Sequence, residues 1–192
     1  MGSMTGDVGF ESGRSDEELY RLFLSTSNSI YLRELIARYR EELTFFLYAF
    51  IKNMEDSEDI MLEAFSIAAT ERAKFSGKSS FKTWLFAIGR NQGLKYLRKN
   101  RLPALPLNEA IVSSSGTPDV EILKDERNKL LYKALENINP EYRQALHLAY
   151  FEEMSNDEVA LVMGKSKKQV YNLIARGKQA CRDELIKLGY EE

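Results

Sequence analysis

The sequence predicts an all-α protein made of two small helical domains joined by a flexible linker, the second containing a helix-turn-helix. Three observations predict it. Apolar residues recur at spacings of three and four along most of the chain, and nowhere alternate over a length useful to a strand. That periodicity breaks once, where Pro103, Pro106 and Pro118 accompany Ser113, Ser114, Ser115 and Gly116, a composition that neither a helix nor a central strand tolerates. Near the C-terminal end two capping boxes follow one another with a single glycine between them.

Taken in order, residues 1–14 read as an expression-tag scar (Met1, Gly2, Ser3) followed by a flexible stretch, and order is expected to begin at Ser15, where Ser15-Asp16-Glu17-Glu18 has capping-box spacing. A long amphipathic helix is expected over residues 29–53, with Leu32, Leu35, Ile36, Tyr39, Leu43, Phe46, Leu47, Phe50 and Ile51 as its inner stripe. Helical spacing continues through Ile60, Phe65, Ile67 and Ala68, and again through Phe81, Trp84, Leu85 and Ile88. The first lobe therefore covers residues 15–101, the linker 102–118 and the second lobe 119–192. In the second lobe, Asn139-Pro140 supplies an N-cap with proline at the first helical position.

Composition excludes several classes. The chain of 192 residues is 44% hydrophobic and 29% charged, enough to bury real cores, and no run of about 18 apolar residues suggests a membrane span. With only Cys181 and His147 there is no thiolate metal site and little imidazole chemistry, so no catalytic, metal or cofactor site is expected. Without a signal segment the expected location is the cytoplasm. Cys181 has no resolving partner for redox sensing, and His147, in an apolar stretch, reads as a packed residue rather than a switch.

The formal net charge of −2 conceals a strong segregation. Residues 78–101 carry seven Lys or Arg and no acid; residues 163–182 carry six and no acid. Residues 55–70 hold five acids and no base, so two positive surfaces and one negative one point to at least two kinds of partner.

The boxes Ser155-Asn156-Asp157-Glu158 and Ser166-Lys167-Lys168-Gln169, with Gly164 between, have the layout of a helix-turn-helix whose second helix enters the major groove. Lys167, Lys168 and Gln169 would open that helix, with Tyr171, Asn172, Ala175 and Arg176 farther along it. Arg bidentate to guanine, Asn or Gln to adenine, and Lys to phosphate are the pairings this set allows.

These residues, with Asn139-Pro140-Glu141-Tyr142-Arg143 and Tyr150 through Ser155, resemble the minus-35-binding domain of bacterial extracytoplasmic-function sigma factors. The first lobe is similar to the same family independently. Asp56 through Phe65 resembles its acidic polymerase-docking segment, and Phe75 through Asn91 its minus-10 reader. The resemblance implies an alternative sigma factor that binds core RNA polymerase at its clamp and flap regions and directs promoter-specific initiation. Asp56, Glu58, Asp59 and Glu63 would dock on the polymerase. Phe75, Ser76, Gly77, Lys78, Ser79, Ser80, Lys82, Arg90, Asn91, Lys95 and Arg98 would bind the melted minus-10 strand, with Asn91 on a base and Arg90, Lys95 and Arg98 on phosphates. Promoter DNA is thus a partner, and the family admits an anti-sigma factor as another. Ala87, Tyr171 and Leu173 stand where relatives often carry basic residues, and Gly177 interrupts a helix, departures that bear on the promoter sequence rather than the role.

The main alternative is a helix-turn-helix regulator acting without polymerase, which would leave the basic first-lobe stretch unexplained. A magnesium nuclease built on the acidic cluster would lack a catalytic partner, and no G-x-S-x-G, H-E-x-x-H or Walker-type loop suggests a hydrolase.

Overall fold

The computed structural model describes residues 13–70, 75–100 and 126–190, the side chains of 126–128 excepted. The linker at 102–118 and the start of the second lobe lie outside the described residues. Among those described there are eight helices and no strand: α1 (Asp16–Thr26), α2 (Ser29–Ile51), α3 (Met54–Ala69), α4 (Phe81–Asn100), α5 (Glu126–Asn137), α6 (Pro140–Tyr150), α7 (Asn156–Met163) and α8 (Lys167–Lys187).

Local chemistry sets the helix ends. Ser15 caps α1 by accepting from the Glu18 amide, but the reciprocal half of the expected box is missing there. Glu18 instead has one carboxylate oxygen 3.9 Å from Arg14 Nε. Asn28 and Asn53 cap α2 and α3 in the same way. Lys52, in the left-handed region at φ 65°, ends α2 and turns the chain directly into α3.

In the first lobe α2 packs against α1, α3 and α4, and its predicted stripe lies inside, with Leu35, Leu43, Phe46 and Leu47 fully buried. Two glycines of α4 explain how closely it approaches α2. A Cβ on Gly89 would stand 2.9 Å from Leu43 Cδ1, and one on Gly93 would stand 2.8 Å from Phe50 Cζ. Phe81 is fully buried and Trp84 packs beside it against Tyr20, so this aromatic pair is core rather than a stacking platform.

In the second lobe α8 packs on α5, α6 and α7. Gly177 is buried, and a Cβ there would meet Leu146 and Tyr142 at 3.2 Å, which accounts for a helix-interrupting residue at that position.

Two lobes were legible in the sequence; their contact was not. Helix α4 packs on α7, and α2 on α6. Buried residues of both lobes, among them Phe86 and Leu148, belong to one continuous core.

Candidate nucleic-acid and docking surfaces

Both boxes of the helix-turn-helix are closed. Ser155 accepts from the Glu158 amide while Glu158 accepts from the Ser155 amide; Ser166 and Gln169 do the same at the start of α8. Gly164, at φ 61°, adopts the left-handed conformation between them, where a side chain would be strained. Val159, Val162 and Val170 are buried beneath the turn.

This arrangement leaves Lys167, Lys168, Gln169, Tyr171, Asn172, Ala175 and Arg176 exposed, all seven of the predicted set. Lys168, Asn172 and Ala175 fall at spacings of four and three, so they share one face of α8. Two members are partly committed. Lys167 pairs with Asp157 at 2.8 Å, and the Gln169 side-chain oxygen accepts from the Ser166 amide at 2.8 Å, which makes Gln169 a cap before it is a base reader. Lys178 and Arg182 are exposed farther along, Lys178 over the Tyr150 ring. Their place in the acid-free stretch was the signal that could have added them. Leu173 packs inward against the core, which gives a reason for a leucine at that site.

On α4, Asn91, Lys95 and Arg98 are exposed at i, i+4 and i+7, a single stripe along the helix. Ser76, Gly77 and Lys78 are exposed in the preceding loop, and Ser79 and Ser80 partly so. Phe75 is drawn inward, with its ring 5.2 Å from that of Trp84.

Two members of the expected minus-10 set, Arg90 and Lys82, are engaged by protein groups instead. Arg90 is only 6% exposed and faces the second lobe. Its Nε donates to Gln144 Oε1 at 2.8 Å and its Nη1 to the Met163 carbonyl at 3.1 Å. Lys82 sits between carboxylates, with Nζ 3.1 Å from Glu42 and 2.9 Å from Glu152. Burial works against its charge, but these carboxylates prevail and raise its pKa. Helical spacing could not separate Arg90 from its exposed neighbours without knowing that another lobe covers that face.

The acidic set divides similarly. Glu58, Asp59 and Glu63 are exposed on α3, together with Leu62. Asp56 is half-buried and accepts from the Tyr96 hydroxyl of α4, which raises the tyrosine pKa. Asp56 therefore ties α3 to α4.

His147 is packed as expected, but it is also linked: its ring lies 5.7 Å from that of Phe46 across the lobe boundary, and its Nε2 is 3.1 Å from Glu152 Oε1. Cys181 is buried, and burial raises its thiol pKa, the reverse of what a redox sensor needs. Among the described residues no helix is long and apolar enough to cross a membrane.

Comparison with known proteins matches the chain to Sigma-70 region 2 over residues 35–102 and to Sigma-70, region 4 over residues 128–181. It is 22% identical to RNA polymerase sigma factor YlaC of Bacillus subtilis over 165 residues, covering 84% of this chain and 95% of that one. It is 23% identical to the ECF RNA polymerase sigma factor SigW of the same organism, covering 79% and 87%. In fold it is similar to CnrH, solved in complex with the cytosolic domain of CnrY, at a TM-score of 0.66 and 21% identity over 91% of this chain and 99% of that one. The sigma factor RpoE, solved with the anti-sigma factor NepR from Bartonella quintana, has a TM-score of 0.60 and 19% identity over 82% and 98%.

Proposed function

Because the chain belongs to the sigma-70 family, in its extracytoplasmic-function group, and is an alternative sigma factor of transcription initiation, we propose the following division of labour between its lobes. The first lobe, residues 15–101, docks on the clamp of core RNA polymerase through Glu58, Asp59 and Glu63 and reads the melted minus-10 strand. The second lobe, residues 119–192, meets the flap and reads minus-35 duplex through α8. The protein does no bond chemistry of its own and works in the cytoplasm.

The observation that carries this reading is the presence of two exposed polar and basic stripes on separate lobes, Asn91, Lys95 and Arg98 on α4 and Lys168, Asn172 and Arg176 on α8. A regulator that binds duplex alone needs the α8 stripe but gives no reason for Asn91, Lys95 and Arg98 on α4. Opening a promoter requires both duplex recognition and capture of an unstacked strand, the latter by a basic groove with polar contacts to bases. On α4, Asn91 is placed for a base, while Lys95 and Arg98 are placed for phosphates. On α8, Lys168 serves phosphate, and Asn172 and Arg176 discriminate bases.

Run-off transcription with core polymerase over a promoter library tests the reading. Initiation from a start site set by two spaced elements is the expected result. Tight duplex binding with no polymerase-dependent initiation would return the chain to the class of simple helix-turn-helix regulators.

A further inference from the structure

Helix α1 holds both ends of the connection that leads from α3 to α4. Where the connection leaves α3, the Tyr20 hydroxyl donates to the carbonyl oxygen of Ala68 in the last turn of that helix, at 2.7 Å. Where it enters α4, a Glu17 carboxylate oxygen accepts from the amide of Phe81, the first residue of the helix, at 2.8 Å. Glu17 and Tyr20 stand three residues apart and so share one face of α1. The groups they meet are those a helix leaves unpartnered, its last carbonyls and its first amides. A carboxylate suits such an amide, because the hydrogen bond is charge-assisted and the positive end of the helix dipole lies behind it.

The Tyr20 ring packs between these two anchors. It is 1% exposed, and its centre lies 5.8 Å from the ring of Phe75, 5.1 Å from that of Phe81 and 5.4 Å from that of Trp84. Phe75 is thereby held at the start of the loop, and Ser76, Gly77 and Lys78 stand exposed beyond it. Ser80 ends the loop, its hydroxyl accepting from the Thr83 amide at 3.1 Å. The Ser80 and Thr83 hydroxyls also reach the second lobe, 3.4 and 3.1 Å from one oxygen of Glu158, whose other oxygen completes its own capping box. The Ala68 carbonyl and the Phe81 amide, by contrast, are held from within the first lobe. The hold of α1 on the loop is therefore separate from the contact between lobes.

We propose that Glu17 and Tyr20 are positioning residues for minus-10 reading: without touching DNA, they pre-organise the loop from Phe75 to Ser80 to receive an unstacked base. The inference rests on the proposed strand reading and adds two residues of α1 to it. Extruding a base is costly, and a loop that must order itself at the same moment adds to the cost; a loop already held at both ends adds little. The benefit falls on base recognition. Phosphate contacts by Lys95 and Arg98 sit on α4 itself, which is held by its packing on α2 and α3.

The test uses the full chain bound to core polymerase, as wild type, Glu17→Ala, Glu17→Gln and Tyr20→Phe. Two fluorescein-labelled single strands serve as probes, one with the minus-10 segment of a promoter recovered by run-off transcription and one with that segment scrambled. The ratio of the two affinities is the readout. Tyr20→Phe keeps the ring and removes only the donor, while Glu17→Gln keeps an acceptor. Glu17→Ala and Tyr20→Phe should each narrow the ratio about three- to tenfold, the worth of one hydrogen bond now offset by loop ordering. Affinity for the scrambled strand and its dependence on salt should match the wild type, since both rest on phosphate contacts. Glu17→Gln should recover most of the ratio.

An unchanged ratio in folded Glu17→Ala or Tyr20→Phe overturns the proposal while leaving strand reading intact. Equal weakening on both strands with a lowered melting temperature does the same, because it marks a clamp that serves stability alone. If circular dichroism shows Glu17→Ala misfolded, Tyr20→Phe decides. A wild-type complex that does not distinguish the two strands would instead defeat strand reading by the first lobe, and the inference with it.

Discussion

Arg143 of α6 donates from Nη1 to the carbonyl oxygen of Ala49 in the last turn of α2, 2.7 Å away across the lobe boundary. The last four carbonyls of a helix have no partner within it, and a cation placed there also meets the negative end of the helix dipole. The same guanidinium donates to the carbonyls of Glu136 and Ile138 at the end of α5, at 2.6 and 3.0 Å. One buried side chain thus terminates two helices from different lobes. A lysine has the charge but not the planar spread of donors. Arg143→Lys should lower stability by about 3 kcal/mol, the upper range for a hydrogen bond to a charged group, as measured by thermal unfolding. An unchanged melt would mean that water or backbone rearrangement serves these carbonyls equally well.

The glycines of α4 give a second stability test. Alanine at an exposed helical position gains up to about 1 kcal/mol over glycine. At Gly93 the added methyl carbon would lie 2.8 and 2.9 Å from two atoms of the Phe50 ring and 3.3 Å from Leu47 Cδ2, inside a filled core. Overpacking of this kind costs about 1–3 kcal/mol, so the steric term exceeds the propensity gain. Gly93→Ala should destabilise, whereas a stabilised variant would show that Phe50 turns aside freely.

The helices were legible because their signals are local. Ser155, Ser166, Gly164 and the stripe from Leu35 to Phe50 announce themselves within a few residues, and the structure places each where its local chemistry requires. The covering of Arg90 and Lys82 was not legible because their surroundings come from residues far along the chain, Gln144, Met163 and Glu152. Nothing in the spacing of α4 distinguishes Arg90 from Asn91, yet one is buried and the other exposed. Asp56 shows the same limit on a smaller scale, since only its meeting with Tyr96 separates it from Glu58 and Asp59. A capping glutamate such as Glu158 hid its second role because one oxygen satisfies the local motif completely.

Exposed acids on α3 should serve a partner more than the fold. Isolated surface charges contribute little to stability, while an acidic patch steers encounter with a basic partner. Asp59→Lys/Glu63→Lys should leave the circular dichroism melt nearly unchanged and weaken capture by core polymerase at least about tenfold at low salt, a difference that narrows as salt screens the reversed charges. A lowered melting temperature with intact capture would reassign these carboxylates to folding.

Acid should weaken the lobe contact, and the sign follows from Glu152. Burial pushes its carboxyl pKa up, but the hydrogen bond from His147 and the charge of Lys82 outweigh burial and hold it below the ordinary value of 4.5. Glu158 is depressed as well, burial being overcome by the amide and hydroxyl of Ser155 within its own lobe and, across the boundary, by the hydroxyls of Thr83 and Ser80. Only those hydroxyls, and Lys82 for Glu152, link the shift to the lobe contact. A carboxyl whose pKa is lower in the closed form adds stability above its ordinary pKa and loses it as pH falls through the depressed one. The closed form should therefore hold steady from neutral pH down to about 5 and loosen progressively below the ordinary carboxylate range. Scattering as a function of pH measures the loosening, and Glu152→Gln should shrink the acid dependence because glutamine takes up no proton. A wild-type profile that stays compact through that range, or a variant with the same acid response, would place the pH-sensitive contact elsewhere in the molecule.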